Sequence, residues 1–97
     1  MPSLIILSHA PHSDPGEARM VALARDGDTV LLIEDAVYGA GAVSTPLASA
    51  IEEGTRRGVS FIALKPDADA RGVASKLPTV DYTGFVDLIA SHDRAVH

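Results

Sequence analysis

The chain has 97 residues, 46% of them hydrophobic, and a formal net charge of −5 at pH 7. This length predicts a single domain, 1–97, which buries roughly 60–65% of its unfolded surface. The acidic balance argues against a nucleic-acid-binding surface, because such a surface needs clustered lysine and arginine. No apolar run is long enough for a membrane span and the start of the sequence lacks a signal-peptide pattern, so we expect a cytoplasmic protein.

The sequence contains no cysteine. This composition excludes disulfides, cysteine-based zinc sites and any thiol chemistry carried by the chain itself. The sequence also lacks a glycine-rich phosphate loop, a Walker lysine and a nucleophile elbow. We therefore expect no cofactor and no complete catalytic set, and a binding or assembly role is favoured over a self-sufficient enzyme.

The first part of the chain predicts a strand, a helix and a second strand. Leu4–Leu7 is a short apolar run typical of a strand. Asp14, followed by proline and then by Glu17, resembles a capping box that begins a helix ending near Asp26. Thr29–Glu34 then predicts a strand that is covered on both faces.

The middle of the chain predicts a loop, a second helix and a third strand. Residues 36–43 are small and are expected to be flexible. Pro46–Arg57 predicts a helix that Thr45 caps and Gly58 closes. Its apolar stripe consists of Leu47, Ala50, Ile51 and Gly54. Val59–Leu64 is nearly continuous in apolar residues, which is typical of a buried strand.

The last part predicts two short elements and a final helix. Asp67–Gly72 is consistent with one or two helical turns, and Thr79–Asp81 with a short strand. Thr83 is expected to cap a helix at about Gly84–His92, and Asp93–His97 to be frayed or used against a partner. The residues of this helix expected to face inward are Phe85, Val86, Leu88 and Ile89.

The alternation of strands and helices predicts an α/β fold. Right-handed crossovers place helices on both faces of the sheet. The expected architecture is a three-layer α/β/α sandwich with a mainly parallel sheet of four to five strands. Because ligands and partners of such sheets meet the carboxyl ends of the strands, we interpret that edge as the functional one.

Polar side chains follow the first two predicted strands and leave two enzymatic interpretations open. His9 and His12 follow the first strand, and Glu34 and Asp35 follow the second, so these four side chains suggest a zinc or manganese site and a metal-dependent enzyme. The histidines have no fixed spacing, so the absence of a metal is the favoured interpretation. Asp35 with Lys65 also resembles part of a phosphoryl-acceptor site, but the first strand ends without the acidic pair that such a site needs.

Four blocks of the sequence resemble the TusB/DsrH family and lie in the family's order across nearly the whole chain. The blocks are Gly27-Asp28-x-x-Leu31-Leu32-Ile33-x-Asp35-x-Val37-Tyr38, Pro66-Asp67-x-x-Ala70-Arg71-Gly72, Val80-Asp81-Tyr82 and Phe85-Val86-x-Leu88. The resemblance implies a DsrE-like fold and assembly with two related subunits, TusC/TusD-like or DsrF/DsrE-like, into a dimer of heterotrimers.

The resemblance also implies a function in sulfur relay. Such complexes pass sulfane sulfur as a cysteine persulfide, towards wobble-uridine 2-thiolation of tRNA in one branch and in oxidative sulfur metabolism with DsrC in the other. The principal cysteine lies on the TusD/DsrE subunit. Some members carry a further cysteine at the position of Met20, seven residues before Gly27, and a thioether cannot replace it because it has no ionisable S–H.

The resulting hypothesis is a non-catalytic subunit of a sulfurtransferase complex. The alternative is a homo-oligomeric regulatory or small-ligand-binding domain of the same fold. The side chains expected to shape an interface, or the rim of a partner's cysteine pocket, are His9, Asp35, Tyr38, Asp67, Arg71 and Tyr82. Structural roles stay open for some of them, because Asp67 and Asp81 suit turn caps, Arg71 suits an i, i+4 pair with Asp67, and Phe85 suits the core.

Overall fold

A computed structural model describes residues 2–10, 16–41 and 45–97. The elements in chain order are β1 (Ser3–Leu7), α1 (Gly16–Ala22), β2 (Thr29–Leu32), a 3₁₀ helix (Glu34–Ala40), α2 (Pro46–Arg56), β3 (Ser60–Leu64), α3 (Lys65–Ala70), β4 (Thr79–Val80), α4 (Tyr82–Ser91) and β5 (Arg94–Val96). None of the helices in these ranges combines the length and apolarity needed to cross a bilayer.

The strands form one parallel sheet in the order β4-β3-β2-β1-β5. In its register, Ile5 lies beside Val30, and Val30 lies beside Phe61. The predicted α/β class and parallel sheet are therefore confirmed. The expected frayed tail is wrong at Arg94–Val96, because this segment pairs with β1 as an edge strand.

The main core lies between one face of the sheet and helices α1 and α2. Its strand residues alternate along β1, β2 and β3, as side chains on one face of a sheet must. They are Ile5, Leu7, Val30, Leu32, Phe61 and Ala63, and they pack with Val21 of α1 and with Leu47 and Ile51 of α2. The predicted apolar stripe of α2 is thus confirmed, including buried Gly54.

Gly54 lets α2 approach β3 closely. A Cβ atom built at this glycine would lie 2.7 Å from Cζ of Phe61. Real Cβ atoms do not approach a carbon so closely, and the Phe61 ring is itself buried in the core. The glycine is therefore a packing requirement at this position.

Helix α4 crosses the opposite face of the sheet. At its end, Nε2 of His92 lies 2.9 Å from Oγ1 of Thr29, whose side chain points away from the main core. The prediction that all four apolar residues of α4 face inward is wrong, because Val86 is 63% exposed and Ile89 is 46% exposed. Phe85 is half-buried and lies outside the main core. A single helix has only one stripe facing the sheet, and the second apolar stripe of α4 faces outward.

The helix caps agree with prediction in one place and differ in another. Thr45 caps α2 as expected, because its hydroxyl accepts a hydrogen bond from the Ala48 backbone N–H at 3.0 Å. Helix α4 begins at Tyr82, and its cap is Asp81 instead of Thr83. The Asp81 carboxylate accepts from the Gly84 N–H at 2.9 Å. The structural role expected of Asp81 is therefore confirmed.

Two further boundaries differ from the predictions. Helix α1 ends at Ala22 instead of Asp26, and the segment expected to be flexible forms the 3₁₀ helix Glu34–Ala40. The 3₁₀ helix buries Ala36 and Val37 against β2, so tertiary packing orders a segment of small residues. The predicted helix start at Asp14 lies outside the described residues.

Asp28 is a buried carboxylate that joins the starts of β1 and β2. Its Oδ1 accepts from the Ser3 N–H and its Oδ2 from the Arg25 N–H, each at 2.9 Å. Burial raises the pKa of Asp28, but the hydrogen bonds from the Arg25 and Ser3 backbone lower it, and the net pKa lies below the ordinary value of 3.8. The residue that the sequence indicates only as part of a turn is thus a structural anchor.

Candidate functional site

The carboxyl ends of all five strands lie at one edge of the sheet, because every pair is parallel. Residues that follow neighbouring strands are therefore neighbours along this edge. The polar residues in spatial order, from β4 to β5, are Tyr82, Asp67, Asp35, His9 and His97. Adjacent strands are about 4.8 Å apart, so the row spans roughly 19 Å. We call this row the strand-end edge.

Arg71 is the centre of one cluster on the strand-end edge. Its Nε donates to Oδ1 of Asp35 at 2.9 Å, and its Nη1 donates to the Asp67 carbonyl at 3.3 Å. The Asp67 carboxylate is more distant, with Oδ1 at 3.9 Å from Nη1. The hydrogen bond to Asp35 raises the pKa of Arg71 above its ordinary value and so favours the charged guanidinium further. The pair with Asp67 proposed from the sequence exists, but Asp35 is the closer carboxylate partner.

The 3₁₀ helix positions Asp35 and Tyr38 for this cluster. Glu34 adopts a positive φ of 48° directly after β2, which turns the chain across the ends of the strands. Its backbone N–H donates to Oδ2 of Asp67 at 2.6 Å and so ties the 3₁₀ helix to α3. Tyr38 lies on the same 3₁₀ helix and is 42% exposed. Four of the six residues singled out from the sequence thus form one continuous polar patch, namely Asp35, Tyr38, Asp67 and Arg71.

His9 belongs to a second cluster, beside β1. Its Nδ1 lies 3.2 Å from Oε2 of Glu17, and its backbone N–H donates to the same oxygen at 3.0 Å. Glu17 is only 5% exposed, although it is ionisable. The sequence suggests a capping role for Glu17, so its contact with the β1 loop is a functional candidate that sequence reasoning missed.

Met20 lies beside this second cluster and packs against the core. Together with His9 and Glu17 it lines a small cavity of about 330 Å³. It also lines a larger open groove beside the edge strand β5. Met20, at the position where the resemblance implies a cysteine in some family members, therefore faces cavity space with a thioether.

Tyr82 stands at the β4 end of the strand-end edge. It is 60% exposed, and its position on α4 is one turn before Val86 and two turns before Ile89. These three side chains form an exposed apolar stripe, which we call the α4 stripe. Large apolar side chains grouped on a surface are typical of a protein interface.

The positions of the described residues do not support the two enzymatic interpretations, a phosphoryl-acceptor site and a metal site. Lys65, the lysine of the phosphoryl-acceptor interpretation, pairs with Asp69 at 2.8 Å, whereas Asp35 pairs with Arg71. Within residues 2–10, 16–41 and 45–97, no three histidine, aspartate or glutamate side chains group closely enough to hold a metal ion. His12 lies outside these ranges.

Comparison with known proteins adds sequence relatives. A family model described as DsrH like protein matches residues 9–95. Protein TusB of Enterobacter sp. (strain 638) is 41% identical over 92 residues, covering 89% of this chain and 90% of that protein. Protein TusB of Photorhabdus laumondii is 40% identical over 74 residues, covering 72% and 73%.

Comparison with solved structures supports the fold. The YchN protein of E. coli has a TM-score of 0.79 at 16% identity and covers 99% of this chain and 97% of that chain. Protein Tm0979 of Thermotoga maritima has a TM-score of 0.63 at 25% identity and covers 91% of each chain. The sheet described above is thus shared with the YchN fold, as the resemblance to a DsrE-like fold implies. Together with the match over residues 9–95, these findings establish that the chain belongs to the DsrH-like protein family.

Proposed function

We propose that this chain is a cytoplasmic subunit of a sulfur-relay complex that binds and shapes a partner's persulfide site without carrying sulfur. The observation that carries this proposal is the membership in the DsrH-like family of a chain that contains no cysteine. The relatives named TusB favour the branch that leads to tRNA 2-thiolation. A thiol is the group that forms a persulfide, so the sulfur must be carried by another subunit.

Two surfaces support a role in assembly. The α4 stripe exposes Tyr82, Val86 and Ile89, and burial of such side chains is a large source of interface energy. The Arg71 cluster places a charged guanidinium between Asp35 and the Asp67 carbonyl, which suits the polar rim of an interface. We propose that His9, Asp35, Tyr38, Asp67, Arg71 and Tyr82 contact the partners or the rim of a partner's cysteine pocket.

The proposal is tested by co-expressing the chain with the TusC/DsrF-like and TusD/DsrE-like subunits of the same genome. We expect a stable complex that contains the three subunits in equal amounts, with the mass of a dimer of heterotrimers by light scattering. A chain that elutes alone beside those subunits at micromolar concentration would contradict the proposal. A stable homodimer or homotrimer under the same conditions would favour the alternative regulatory or ligand-binding function.

Arg71→Lys is expected to weaken this complex about tenfold, because lysine lacks the fork that contacts Asp35 and the Asp67 carbonyl together. The dissociation constant is measured by titrating the purified partner subunits. Arg56→Lys on the exposed side of α2 is the matched control and should leave the constant unchanged. If the two variants have the same far-UV circular dichroism spectrum and bind the partners with equal affinity, Arg71 does not contribute to the interface.

A further inference from the structure

Glu17 is a carboxylate fixed by the backbone of the loop after β1. Its Oε2 accepts from the Ser8 N–H at 2.9 Å and from the His9 N–H at 3.0 Å. The side chain is almost completely buried. A carboxylate held by backbone donors in a buried position has little freedom to rotate, so any group that it contacts is oriented with it.

His9 is oriented by this carboxylate. Its Nδ1 lies 3.2 Å from Oε2 of Glu17, while 66% of the side chain is exposed. A carboxylate accepts hydrogen bonds and does not donate them, so the neutral ring must carry its proton on Nδ1. Nε2 then carries the basic lone pair of the ring. The same division of roles is found where a carboxylate holds a histidine that acts as a general base.

The cavity beside His9 suits a small sulfur-containing group. It has a volume of about 330 Å³. Its walls combine the apolar side chains Ile6 and Met20 with two imidazoles. The lining residues are Ile6, His9, Gly16, Glu17, Met20 and His97. A thiol is weakly polar and is accommodated by such walls. Of the two imidazoles, that of His9 contacts a carboxylate, whereas that of His97 contacts the Ser8 hydroxyl.

The second carboxylate oxygen of Glu17, Oε1, shows why the contact between Oε2 and His9 matters for this buried side chain. Oε1 is buried and has no hydrogen-bond partner among the residues that the structure describes. Among the described residues, the hydrogen bonds to Oε2 are therefore the main stabilisation of the negative charge of Glu17. Nδ1 of His9 lies 3.2 Å from Oε2 of this carboxylate, which is within ion-pair distance of an imidazolium.

We propose that His9 is the proton acceptor for a cysteine thiol of a partner subunit and that Glu17 is its positioning residue. This inference rests on the proposed function, because the thiol and the persulfide come from other subunits. Nε2 of His9 takes the S–H proton, and the resulting thiolate attacks the outer sulfur of a partner's hydropersulfide. A new S–S bond forms as the donor's S–S bond breaks, and His9 returns its proton to the leaving thiolate. The exchange consumes no external oxidant or reductant.

The first test is the tautomer of His9 in the isolated chain. An exposed histidine without a partner favours the proton on Nε2, so ¹⁵N NMR of the ring distinguishes the two arrangements. We expect His9 to carry its proton on Nδ1 and to shift towards the Nε2–H form in Glu17→Leu, because leucine removes the acceptor oxygen that a glutamine would retain. His97, which lines the same cavity and lies 3.0 Å from a hydroxyl of Ser8 instead of a carboxylate, is the internal control. A His9 ring protonated on Nε2 in the unmodified chain would overturn the proposal.

The second test places a thiol in the cavity. Because the chain has no cysteine, Met20→Cys introduces a single reactive group, and its alkylation by iodoacetamide at pH 7 reports on thiolate formation. We expect the rate to fall about tenfold when His9→Gln is added and to stay within about twofold when His97→Gln is added. Equal rates in the two double variants would overturn the proposal.

These tests are independent of complex formation. If the partner subunits do not bind, the proposed function fails while the tautomer and alkylation results still report on the Glu17–His9 pair. If the partners bind to His9→Gln with unchanged affinity but persulfide transfer within the complex slows, both proposals hold. Transfer that proceeds at the same rate in His9→Gln overturns the inference alone.

Discussion

Asp28→Asn is expected to lower the free energy of unfolding at pH 7 by about 3 kcal/mol. The carboxylate accepts backbone N–H bonds from Ser3 and Arg25 with different oxygens. An asparagine has only one acceptor oxygen, so one buried N–H would lose its partner and face an NH₂ group. A chain of this length has a total stability of roughly 5–15 kcal/mol, so the loss would be a large fraction of it. Urea denaturation followed by circular dichroism measures the change.

The pH dependence of this variant gives a second check. The native pKa of Asp28 lies below its ordinary value, so the stability contributed by its charge is present above the unfolded-state pKa. This contribution is lost as the pH falls through the native pKa. We therefore expect the difference between the parent chain and Asp28→Asn to be full at pH 7 and to shrink as the pH falls below about 4. The exposed Asp87→Asn on α4 is the control and should show little effect at either pH.

Gly54→Ala is expected to cost about 2 kcal/mol of unfolding free energy. At an exposed interior position of a helix, alanine is more favourable than glycine by up to about 1 kcal/mol. A loss of unfolding free energy in Gly54→Ala would therefore show that packing overrides helix propensity. The new methyl group would lie 2.7 Å from the Phe61 ring, which is itself buried in the core. Denaturant unfolding measures the change in midpoint.

A second substitution identifies the cause of this loss. In the Gly54→Ala background, Phe61→Leu removes the ring atoms that clash. We therefore expect it to lower the free energy of unfolding by less than the same substitution does in the parent chain. Gly41→Ala is the control, because its added Cβ meets its nearest atom at 3.4 Å, an ordinary contact distance. A stability gain in Gly54→Ala would contradict the packing role assigned to the glycine.

Much of the fold can be predicted from the sequence because strong local signals mark its elements. The apolar runs of β1, β2 and β3 and the Thr45 cap of α2 need no tertiary information. Strand β5 lacks such a signal, because Arg94–Val96 is short and its pairing with β1 depends on residues from the other end of the chain. The order of the 3₁₀ helix is likewise decided by packing.

The candidate site is only partly predictable for the same reason. Parallel topology alone brings Asp35 and Asp67 to one edge, and the structure adds the Arg71 bridge between their elements. Glu17 could not be assigned its contact from local pattern, since its position near the start of a helix suggests a cap and its side chain instead reaches the loop of His9. The outward stripe of α4 has the same apolar composition as a core stripe, so composition does not distinguish the two.

The pairing of β5 with β1 has a consequence for biosynthesis. In this register Ser3 lies beside Arg94, so the outer edge of β1 has no neighbour while the ribosome is still adding the intervening residues. An uncovered apolar strand edge readily pairs with other chains. The nascent polypeptide therefore exposes an unpaired strand edge until β5 emerges and covers it.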